Sequence, residues 1–310
     1  MNAITRTSPR PLAAPRYVAA ADGGGSGTRV RLWSAAGDWL GSGEAGPSGL
    51  SLGVGAAWRE VEAAVASAFA QAGLTVEAER STTALTLGLA GANVARQAEA
   101  FHASAQGWAW VLLGGDGQAA LIGAHGGQPG VLLAAGTGSV AEALRADGSW
   151  ASSGGWGFPV GDEGSGGWLG LRAMALAQHA LDGRAAAGPL VRAVWARVGG
   201  TPDALLAFCA GANQSAYAQL APLVFDSAEG AGGDPAAAAL LGDAAQALEA
   251  LVAPLDPTGR LPLALAGSVA LRLQPRLPLA LRVRCVTPQG DAIDGARAWL
   301  LSALAEAAPR

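Results

Sequence analysis

Asp22-Gly23-Gly24-Gly25-Ser26-Gly27-Thr28 separates two apolar stretches near the start of the chain, and part of it recurs later. Gly25-Ser26-Gly27-Thr28 reappears 111 positions further on as Gly136-Thr137-Gly138-Ser139. The correspondence continues without a gap as far as Trp39 and Trp150, and an apolar segment precedes each copy. A repeat of this size indicates a duplicated supersecondary unit, built from a strand, a loop and a hairpin.

The two repeated loops have the composition of phosphate-binding loops. A Gly/Ser/Thr loop that leaves a strand directs several backbone N–H groups and hydroxyls at one point, which suits phosphate oxygens. One such match is weak evidence in a chain with 46 glycines, but two in register are not explained by glycine content alone. We therefore predict a nucleotide held from two related halves. The predicted contacts are Gly24, Gly25, Ser26, Gly27, Thr28, Gly136, Thr137, Gly138 and Ser139.

Composition excludes several classes of protein. The net charge is −4 with no basic block, which argues against nucleic acid as a partner. No apolar run approaches the roughly 18–20 residues that span a bilayer, so no membrane partner is expected. The first fourteen residues lack the apolar core of a secretory signal and are predicted to be a disordered tail. Two distant cysteines, Cys209 and Cys285, fit a reducing cytoplasm and exclude a zinc ribbon or a disulfide scaffold.

The basic residues are all arginine; the chain has no lysine. A P-loop with its phosphate-binding lysine is therefore excluded, as are Schiff-base chemistry and catalysis of the protein-kinase type. Any nucleotide must be held by backbone amides, hydroxyls and a metal ion. The sequence thus predicts a nucleotide and a metal ion, bound without lysine.

Apolar periodicity divides the rest of the chain into strands and helices. Strands are predicted at Leu85–Ala90, Trp108–Leu113, Leu261–Ala266 and Arg282–Val286. Helices are predicted at Ala56–Ala72, Ala95–Ala105, Ala292–Ala308 and through most of Leu169–Val252. Strands that alternate with helices in two halves indicate an α/β protein with mixed sheets and a cleft between domains. We expect a tail at 1–14, domains at 15–121 and 122–291, the second with a helical insertion, and a closing helix at 292–310 that packs back on the first domain.

Three aspartates in the loops are candidates for chemistry. Asp22 ends the first strand beside the phosphate loop and would bind Mg²⁺; the alternative is an Asx turn. Asp116 follows the Trp108–Leu113 strand and could accept the proton of a hydroxyl that attacks a γ-phosphate; the alternative is a Gly-Asp-Gly turn. Asp162 lies near Trp156 in a glycine-rich loop, where an indole face and carboxylates would bind a sugar; the alternative is ordinary helix capping.

Taken together, these segments resemble the actin-like ATPase superfamily of sugar kinases. Within it they are most similar to the N-acetylglucosamine and glucosamine kinase branch, of the BadF/BadG/BcrA/BcrD type. The resemblance covers about Tyr17–Leu304. It rests on Asp22–Ser26 and Gly136–Ser139 as the phosphate motifs, Leu265–Val269 as the adenosine motif, Gly154–Ser165 as the sugar loop, and Pro288–Ala296 as a C-terminal signature.

The resemblance implies two actin-like (ribonuclease H-like) domains with mixed five-stranded sheets flanked by helices, and ATP and sugar in the interdomain cleft. It implies transfer of the γ-phosphate of ATP to the 6-hydroxyl of N-acetyl-D-glucosamine, or of glucosamine as the close variant. It makes Asp116 the general base and adds Gly267 and Ser268 to the nucleotide contacts. The implied sugar contacts are Asp116, Thr137, Gly155, Trp156 and Asp162. We also expect a cytoplasmic homodimer.

Two departures from the family pattern concern the sugar and the first loop. Gly49 stands where relatives commonly place a sugar-contacting asparagine, and Gly27 makes the first loop more flexible.

Two other functions compete with the kinase. An ATP-driven activator of electron transfer would need paired cysteines for an iron–sulfur cluster, for which Cys209 and Cys285 are poor candidates. A non-catalytic sugar sensor would not need Asp116.

Overall fold

The computed structural model of the chain describes residues 6–7 and 14–307, which fall into two compact units. The first unit comprises Met1–Gly130, Leu144–Ala151 and Thr287–Arg310, and the second Val131–Ala143 and Ser152–Val286. The first unit therefore extends past the predicted boundary at 121, and the segment that returns to it begins before residue 292. Apart from Arg6–Thr7 and Ala14, the predicted disordered tail lies outside the described residues.

The first unit contains a mixed sheet with the strand order β1-β6-β5-β2-β3-β4. Its strands are β1 (Arg6–Thr7), β2 (Tyr17–Gly23), β3 (Thr28–Ser34), β4 (Trp39–Ala45), β5 (Thr83–Leu89) and β6 (Trp110–Gly114). The hairpin strands β2, β3 and β4 are antiparallel, whereas β2, β5 and β6 run parallel. The predicted five strands are thus joined by a sixth, because the backbone of Arg6–Thr7 pairs with β6.

Helices cover both faces of this first sheet. They are α1 (Val54–Gln71), α2 (Val76–Glu79), α3 (Ala95–Ala103) and α4 (Asp116–His125), and α13 (Ala292–Ala307) returns from the end of the chain. One core contains Ala19, Leu32, Val61 and Phe69 from the α1 side. The opposite core joins alternate strand residues such as Val18 to Ile293 and Leu300 of α13. This division follows from the period of two along a strand, which sends successive side chains to opposite faces.

The second unit contains a five-stranded mixed sheet and a large helical insertion. Its strand order is β11-β10-β7-β8-β9, with β7 (Gly130–Ala135), β8 (Ser139–Leu144), β9 (Trp150–Gly154), β10 (Leu263–Ala266) and β11 (Cys285–Val286). The helices are α5 (Gly166–Leu181), α6 (Pro189–Val198), α7 (Pro202–Gly211), α8 (Gln214–Ala218), α9 (Ala221–Glu229), α10 (Pro235–Val252), α11 (Ser268–Leu273) and α12 (Leu279–Arg282). No helix among residues 14–307 is long and apolar enough to cross a bilayer.

The predicted duplication is confirmed at the level of single hydrogen bonds. In the first copy, Ser34 N donates to Asp38 O (2.9 Å) and Gly37 N to Ser34 O (3.0 Å). In the second copy, 111 positions on, Arg145 N donates to Ser149 O (2.9 Å) and Gly148 N to Arg145 O (2.9 Å). Both turns place glycine at positive φ, which side chains other than glycine rarely adopt. The α/β architecture with two mixed, helix-flanked sheets is confirmed as well.

Two predicted elements differ in detail. The strand predicted at Arg282–Val286 is only Cys285–Val286, because Leu279–Arg282 forms a helical turn that begins after Pro278. The stretch after Gly115, for which no helix was predicted, is helix α4. Asp116 is therefore the first residue of a helix, and its alternative as a Gly-Asp-Gly turn residue is wrong.

Candidate functional site

The first glycine loop is hydrogen-bonded at Gly24, where it leaves the strand, and has unpaired N–H groups in the described residues that follow. Gly24 N donates to Gly27 O (3.1 Å), and Gly24 O in turn accepts from the N–H groups of Ser48 (3.0 Å) and Gly49 (3.1 Å). Within the described residues, the N–H groups of Gly25, Ser26 and Gly27 have no partner in the protein. Consecutive free N–H groups at an exposed loop tip are the donors that a phosphate requires.

Thr28 is placed differently from the rest of this loop. It is the first residue of β3 and is buried, and its hydroxyl donates to Gly46 O (2.7 Å) and lies 2.7 Å from Ser48 Oγ. This disfavours the predicted contact between the Thr28 hydroxyl and phosphate, because the hydroxyl fastens the loop to the segment that follows β4. Ser139, its equivalent in the second copy, is also buried, and its hydroxyl donates to Glu163 O (2.7 Å).

The second glycine loop repeats this arrangement one residue shorter. Gly136 N donates to Gly138 O (2.9 Å), and the carbonyls of Gly136 and Thr137 accept from Gly166 N (2.7 Å) and Gly167 N (3.0 Å) at the start of α5. Among the described residues, the N–H groups of Thr137 and Gly138 have no partner. Thr137 is exposed, so its hydroxyl and its amide are both available to a ligand.

Asp162 supports this second loop. Its carboxylate Oδ1 accepts from Ser139 N (3.1 Å), and Oδ2 accepts from Gln214 Nε2 (2.6 Å). Asp162 is only 6% exposed and adopts φ 61°, a strained conformation for a residue other than glycine. Both carboxylate oxygens thus serve the protein, which disfavours the predicted direct contact with sugar. Helix capping is not its role either, because Ser165 caps α5 by accepting from Trp168 N (3.2 Å).

Trp156 is the apolar group that this loop offers to a ligand. Its side chain is 79% exposed, and the glycines on either side, Gly155 and Gly157, both have positive φ. Val160 is exposed as well, at the other end of the same turn. An exposed indole on a turn shaped by glycines suits the C–H face of a sugar ring.

A cavity of about 250 Å³ in the second unit adjoins the second glycine loop. Gly136, Thr137, Ser268, Phe225 and Arg272 are among the residues that line it. Gly267 brings the adenosine motif to this place, since a Cβ on it would lie 2.4 Å from Ala135 O. The structure thus brings together the predicted nucleotide residues of the second unit: 136–139 with 267 and 268.

Asp22 and Asp116 share one face of the first sheet. Gly114, Gly88, Asp22 and Arg29 pair in register across β6, β5, β2 and β3. A Cβ on Gly88 would lie 3.6 Å from Asp116 Cα and 2.7 Å from Ala119 Cβ, so only glycine allows α4 to approach this closely. Burial raises the pKa of Asp116, the Asp22 charge adds to the rise, and the N–H of Gly117 partly opposes it.

Asp22 fits a magnesium ion that comes with a nucleotide. Its half-buried carboxylate is neither orphaned nor in an Asx turn; Oδ2 accepts from Arg29 Nη2 (2.6 Å). Within residues 14–307, no group of three or more His, Cys, Asp or Glu side chains forms a cage for a metal. Mg²⁺ commonly takes one or two carboxylates, with the remaining ligands from phosphates and water, so Asp22 is a suitable protein ligand.

Comparison with known proteins identifies the family. The model of the BadF/BadG/BcrA/BcrD ATPase family matches residues 21–276. The chain belongs to this family. It is 34% identical over 280 residues to the glucosamine kinase GspK of Vibrio cholerae, a match that covers 90% of this chain and 94% of that protein. The predicted resemblance and the predicted enzyme class are therefore confirmed.

Solved structures agree with this membership. A protein from Chromobacterium violaceum, assigned as an N-acetylglucosamine kinase, is 46% identical with a TM-score of 0.86, and the match covers 92% of this chain and 99% of that one. A ROK family glucokinase from Streptomyces griseus, solved with glucose and AMPPNP, is 14% identical with a TM-score of 0.50 over 91% of this chain and 98% of that one. The second likeness concerns the fold alone.

The departure of this BadF/BadG/BcrA/BcrD family member at Gly49 is not imposed by its backbone. Gly49 has φ −57° and ψ 133°, which any residue adopts. A Cβ there would lie 3.6–3.7 Å from Gly24 and Gly25, at ordinary contact distance. The backbone therefore accepts a Cβ at position 49, directly beside the first glycine loop.

Two polar residues at the site were not predicted. The position of Arg29 could have been predicted. It follows the buried Thr28 on β3, so the strand alternation exposes its side chain, and it pairs with Asp22 on β2. It also lies 4.0 Å from Asp291, which Arg31 contacts at 2.5 Å. Gln214 belongs to the helical insertion and reaches Thr137 O (3.2 Å) as well as Asp162. No local pattern distinguishes it from other helix residues.

Proposed function

We propose that this protein transfers the γ-phosphate of ATP to the 6-hydroxyl of an amino sugar, N-acetyl-D-glucosamine or glucosamine. The observation that carries the proposal is the placement of Asp116 at the start of α4, beside Gly88 and on the same face as Asp22. A half-buried carboxyl whose pKa is raised is a better proton acceptor at neutral pH than an ordinary aspartate. The names of the family members support the substrate class.

The residues of the two units have separate roles in this proposal. The free N–H groups of Gly25–Gly27 in the first unit, and of Thr137 and Gly138 in the second, hold phosphate oxygens without a lysine. Ser268 borders the cavity for the rest of the nucleotide, and Gly267 brings it beside Ala135 and Gly136. Trp156 contacts the sugar ring.

Asp116 accepts the proton of the sugar hydroxyl as that oxygen bonds to the γ-phosphorus and the bond to the β-phosphate oxygen breaks, which releases ADP. Asp22 would hold Mg²⁺, which when bound neutralises charge on the transferring phosphoryl group. Water would compete with the sugar hydroxyl as the acceptor of the phosphoryl group and has to be kept from it. The exposed Trp156 side chain supplies a surface that a sugar can cover. Location in the cytoplasm and a homodimer also stay predictions.

The test is the release of ADP from Mg-ATP with N-acetylglucosamine, glucosamine, glucose or no sugar. Wild type should turn over only with an amino sugar, and the ³¹P spectrum of the product should place the phosphate on the 6-oxygen. Asp116→Asn should lose activity by a factor of about 10²–10⁴, the usual contribution of a general base. Asp203→Asn, an exposed aspartate on α7, is the matched control and should keep wild-type activity.

Two results would overturn the proposal. Hydrolysis of ATP that needs no sugar and is unaffected by Asp116→Asn would favour the activator class, which an iron–sulfur absorbance in anaerobically purified protein would support. Binding of an amino sugar without any turnover would favour a sugar sensor.

A further inference from the structure

Gln214 holds two functional loops of the second unit at once. It is the first residue of α8, and its side-chain Nε2 donates to Asp162 Oδ2 (2.6 Å) and to Thr137 O (3.2 Å). A glutamine amide carries two N–H bonds on one nitrogen, so one donor is directed at each loop. The acceptors lie 52 and 77 positions away in the sequence.

The carboxylate that Gln214 holds is itself fixed on the glycine loop. Asp162 Oδ1 accepts from Ser139 N (3.1 Å), and a Cβ on Gly138 would lie 2.9 Å from the same oxygen. Gly138 therefore has to be glycine for the carboxylate to lie on it. A carboxylate this deeply buried is tolerated only when its oxygens are hydrogen-bonded, so loss of Gln214 would leave Oδ2 unpaired.

Asp162 also ends the turn that presents Trp156. Gly161 N donates to Gly157 O (2.7 Å), which closes the turn, and Ser165 N donates to Asp162 O (3.1 Å). The other end of α8 contacts the same turn, because the rings of Tyr217 and Phe158 lie 5.4 Å apart. A single short helix thus fastens the Trp156 turn at two points and the Thr137 loop at one.

We propose that Gln214 is a positioning residue that couples binding of the nucleotide to binding of the sugar. The proposal rests on the proposed function, which gives phosphate to the Thr137–Gly138 amides and sugar to Trp156. A phosphate on those amides fixes the backbone of Thr137, and through Gln214 and Asp162 it fixes the turn that carries Trp156. The second ligand then meets an ordered turn, so that each ligand tightens the other by the same factor.

The experiment is calorimetric titration of the full chain with ADP and with a non-hydrolysable ATP analogue, each with and without saturating N-acetylglucosamine or glucosamine. In wild type, sugar should tighten nucleotide binding by about 5-fold or more, the lower end of typical coupling factors. Gln214→Met keeps the length of the side chain and removes the donors, and the factor should fall below about 2-fold. Each ligand alone should still bind within about 3-fold of wild type, since Gln214 is assigned no direct contact with either.

Two further variants separate coupling from general damage. Gln214→Lys keeps hydrogen-bond donors for both acceptors and should restore most of the coupling. Gln219→Met, the same substitution one turn further on at an exposed site, is the matched control and should keep the wild-type factor. Thermal unfolding of every variant establishes that it is folded.

The outcomes distinguish the two proposals. A wild-type coupling factor retained in Gln214→Met overturns the role of Gln214, and so does an equal loss of both affinities with the factor unchanged. A wild type that binds both ligands without coupling also overturns it, while the proposed function stands. A wild type that binds nucleotide but no amino sugar overturns the proposed function and the coupling together.

Discussion

Asp22 and Asp116 flank Gly88 on one face of the first sheet. Gly88 pairs in register with Asp22 on β2, and the Cβ that it lacks would lie 3.6 Å from Asp116 Cα. Burial is the main cause of the raised pKa of Asp116, and the nearby negative charge of Asp22 adds to it. The carboxylate proposed to hold the metal thus also tunes the carboxylate proposed as base.

The first prediction concerns the pH dependence of turnover. Asp116 must be ionised to accept a proton, so activity should fall as the pH falls through its raised pKa. Asp22→Asn removes one cause of the rise, and the acidic limb of kcat/KM should therefore move to lower pH. The profile is measured on the residual activity of the variant beside Asp203→Asn. If the acidic limb of kcat/KM stays at the same pH in Asp22→Asn, the charge of Asp22 does not affect the pKa of Asp116.

The second prediction concerns stability at the same carboxyl. Because the folded-state pKa of Asp116 is raised, its contribution to stability is present below the unfolded pKa, near 3.8, and is lost as pH rises through the folded pKa. Asp116→Asn removes this half-buried charge and should raise the free energy of unfolding at neutral pH. Urea denaturation across pH measures this, and the gain should shrink in acid. A variant that is less stable than wild type at neutral pH contradicts it.

The third prediction concerns Gly88. In Gly88→Ala the new methyl would lie 2.7 Å from Ala119 Cβ, so α4 and Asp116 have to move away from the sheet. We expect a loss of about 1–3 kcal/mol in unfolding free energy and a lower kcat. Gly242→Ala is the matched control: it lies in α10 with nothing within 4 Å, and it should stabilise by about 0.5–1 kcal/mol. Equal effects of the two substitutions would show that Gly88 has no special role.

The duplicated loops and hairpins could be predicted because their information is local. Glycine at Gly37 and Gly148, with apolar alternation on either side, defines each hairpin within a few residues. The strand before Asp116 was predicted for the same reason. The helix after it was not, because Asp116-Gly117 reads as a turn, and the apolar run that follows is too short to show helical periodicity.

The roles of Thr28, Asp162 and Gln214 could not be predicted, for a different reason. Each depends on a partner that is distant in sequence: Ser48 for Thr28, and Gln214 for Asp162. A hydroxyl or carboxylate in a glycine-rich loop looks the same in sequence whether it faces a ligand or fastens the loop. Only packing decides between the two, and packing brings the helical insertion to the loop.

The fourth prediction concerns Trp156. Because its side chain is exposed, Trp156→Ala should change the unfolding free energy by less than about 0.5 kcal/mol. The KM for the amino sugar should rise about 10-fold or more, as expected for loss of a stacking surface worth over 1 kcal/mol, while the KM for ATP should change little. Trp156→Phe should retain part of the affinity. Trp39→Ala, at a tryptophan that is 60% exposed on β4, is the control, and a similar rise in KM there would contradict the assignment.

The fifth prediction concerns the buried ion pair between Arg284 and Asp256 in the second unit, whose side chains are 12% and 3% exposed. Burial opposes ionisation of Asp256, but the Leu261 N–H, the Thr258 hydroxyl and Arg284 together lower its pKa. Asp256→Ala leaves the largely buried Arg284 guanidinium without its carboxylate and with only carbonyl acceptors, which should lower the unfolding free energy by about 3 kcal/mol. Asp182→Ala, which breaks the half-exposed pair with Arg184, should cost less than about 1 kcal/mol.

The pH dependence of this pair gives a second measurement. Since the folded-state pKa of Asp256 is lowered, its stabilisation is present above its ordinary pKa of 3.8 and is lost as the pH falls through the folded value. The difference in unfolding free energy between wild type and Asp256→Ala should therefore narrow below pH 3.8 and stay constant near neutrality. Denaturation of both proteins at acidic and neutral pH tests this. A difference that is the same at every pH would mean that Asp256 stabilises the unit by packing rather than by its charge.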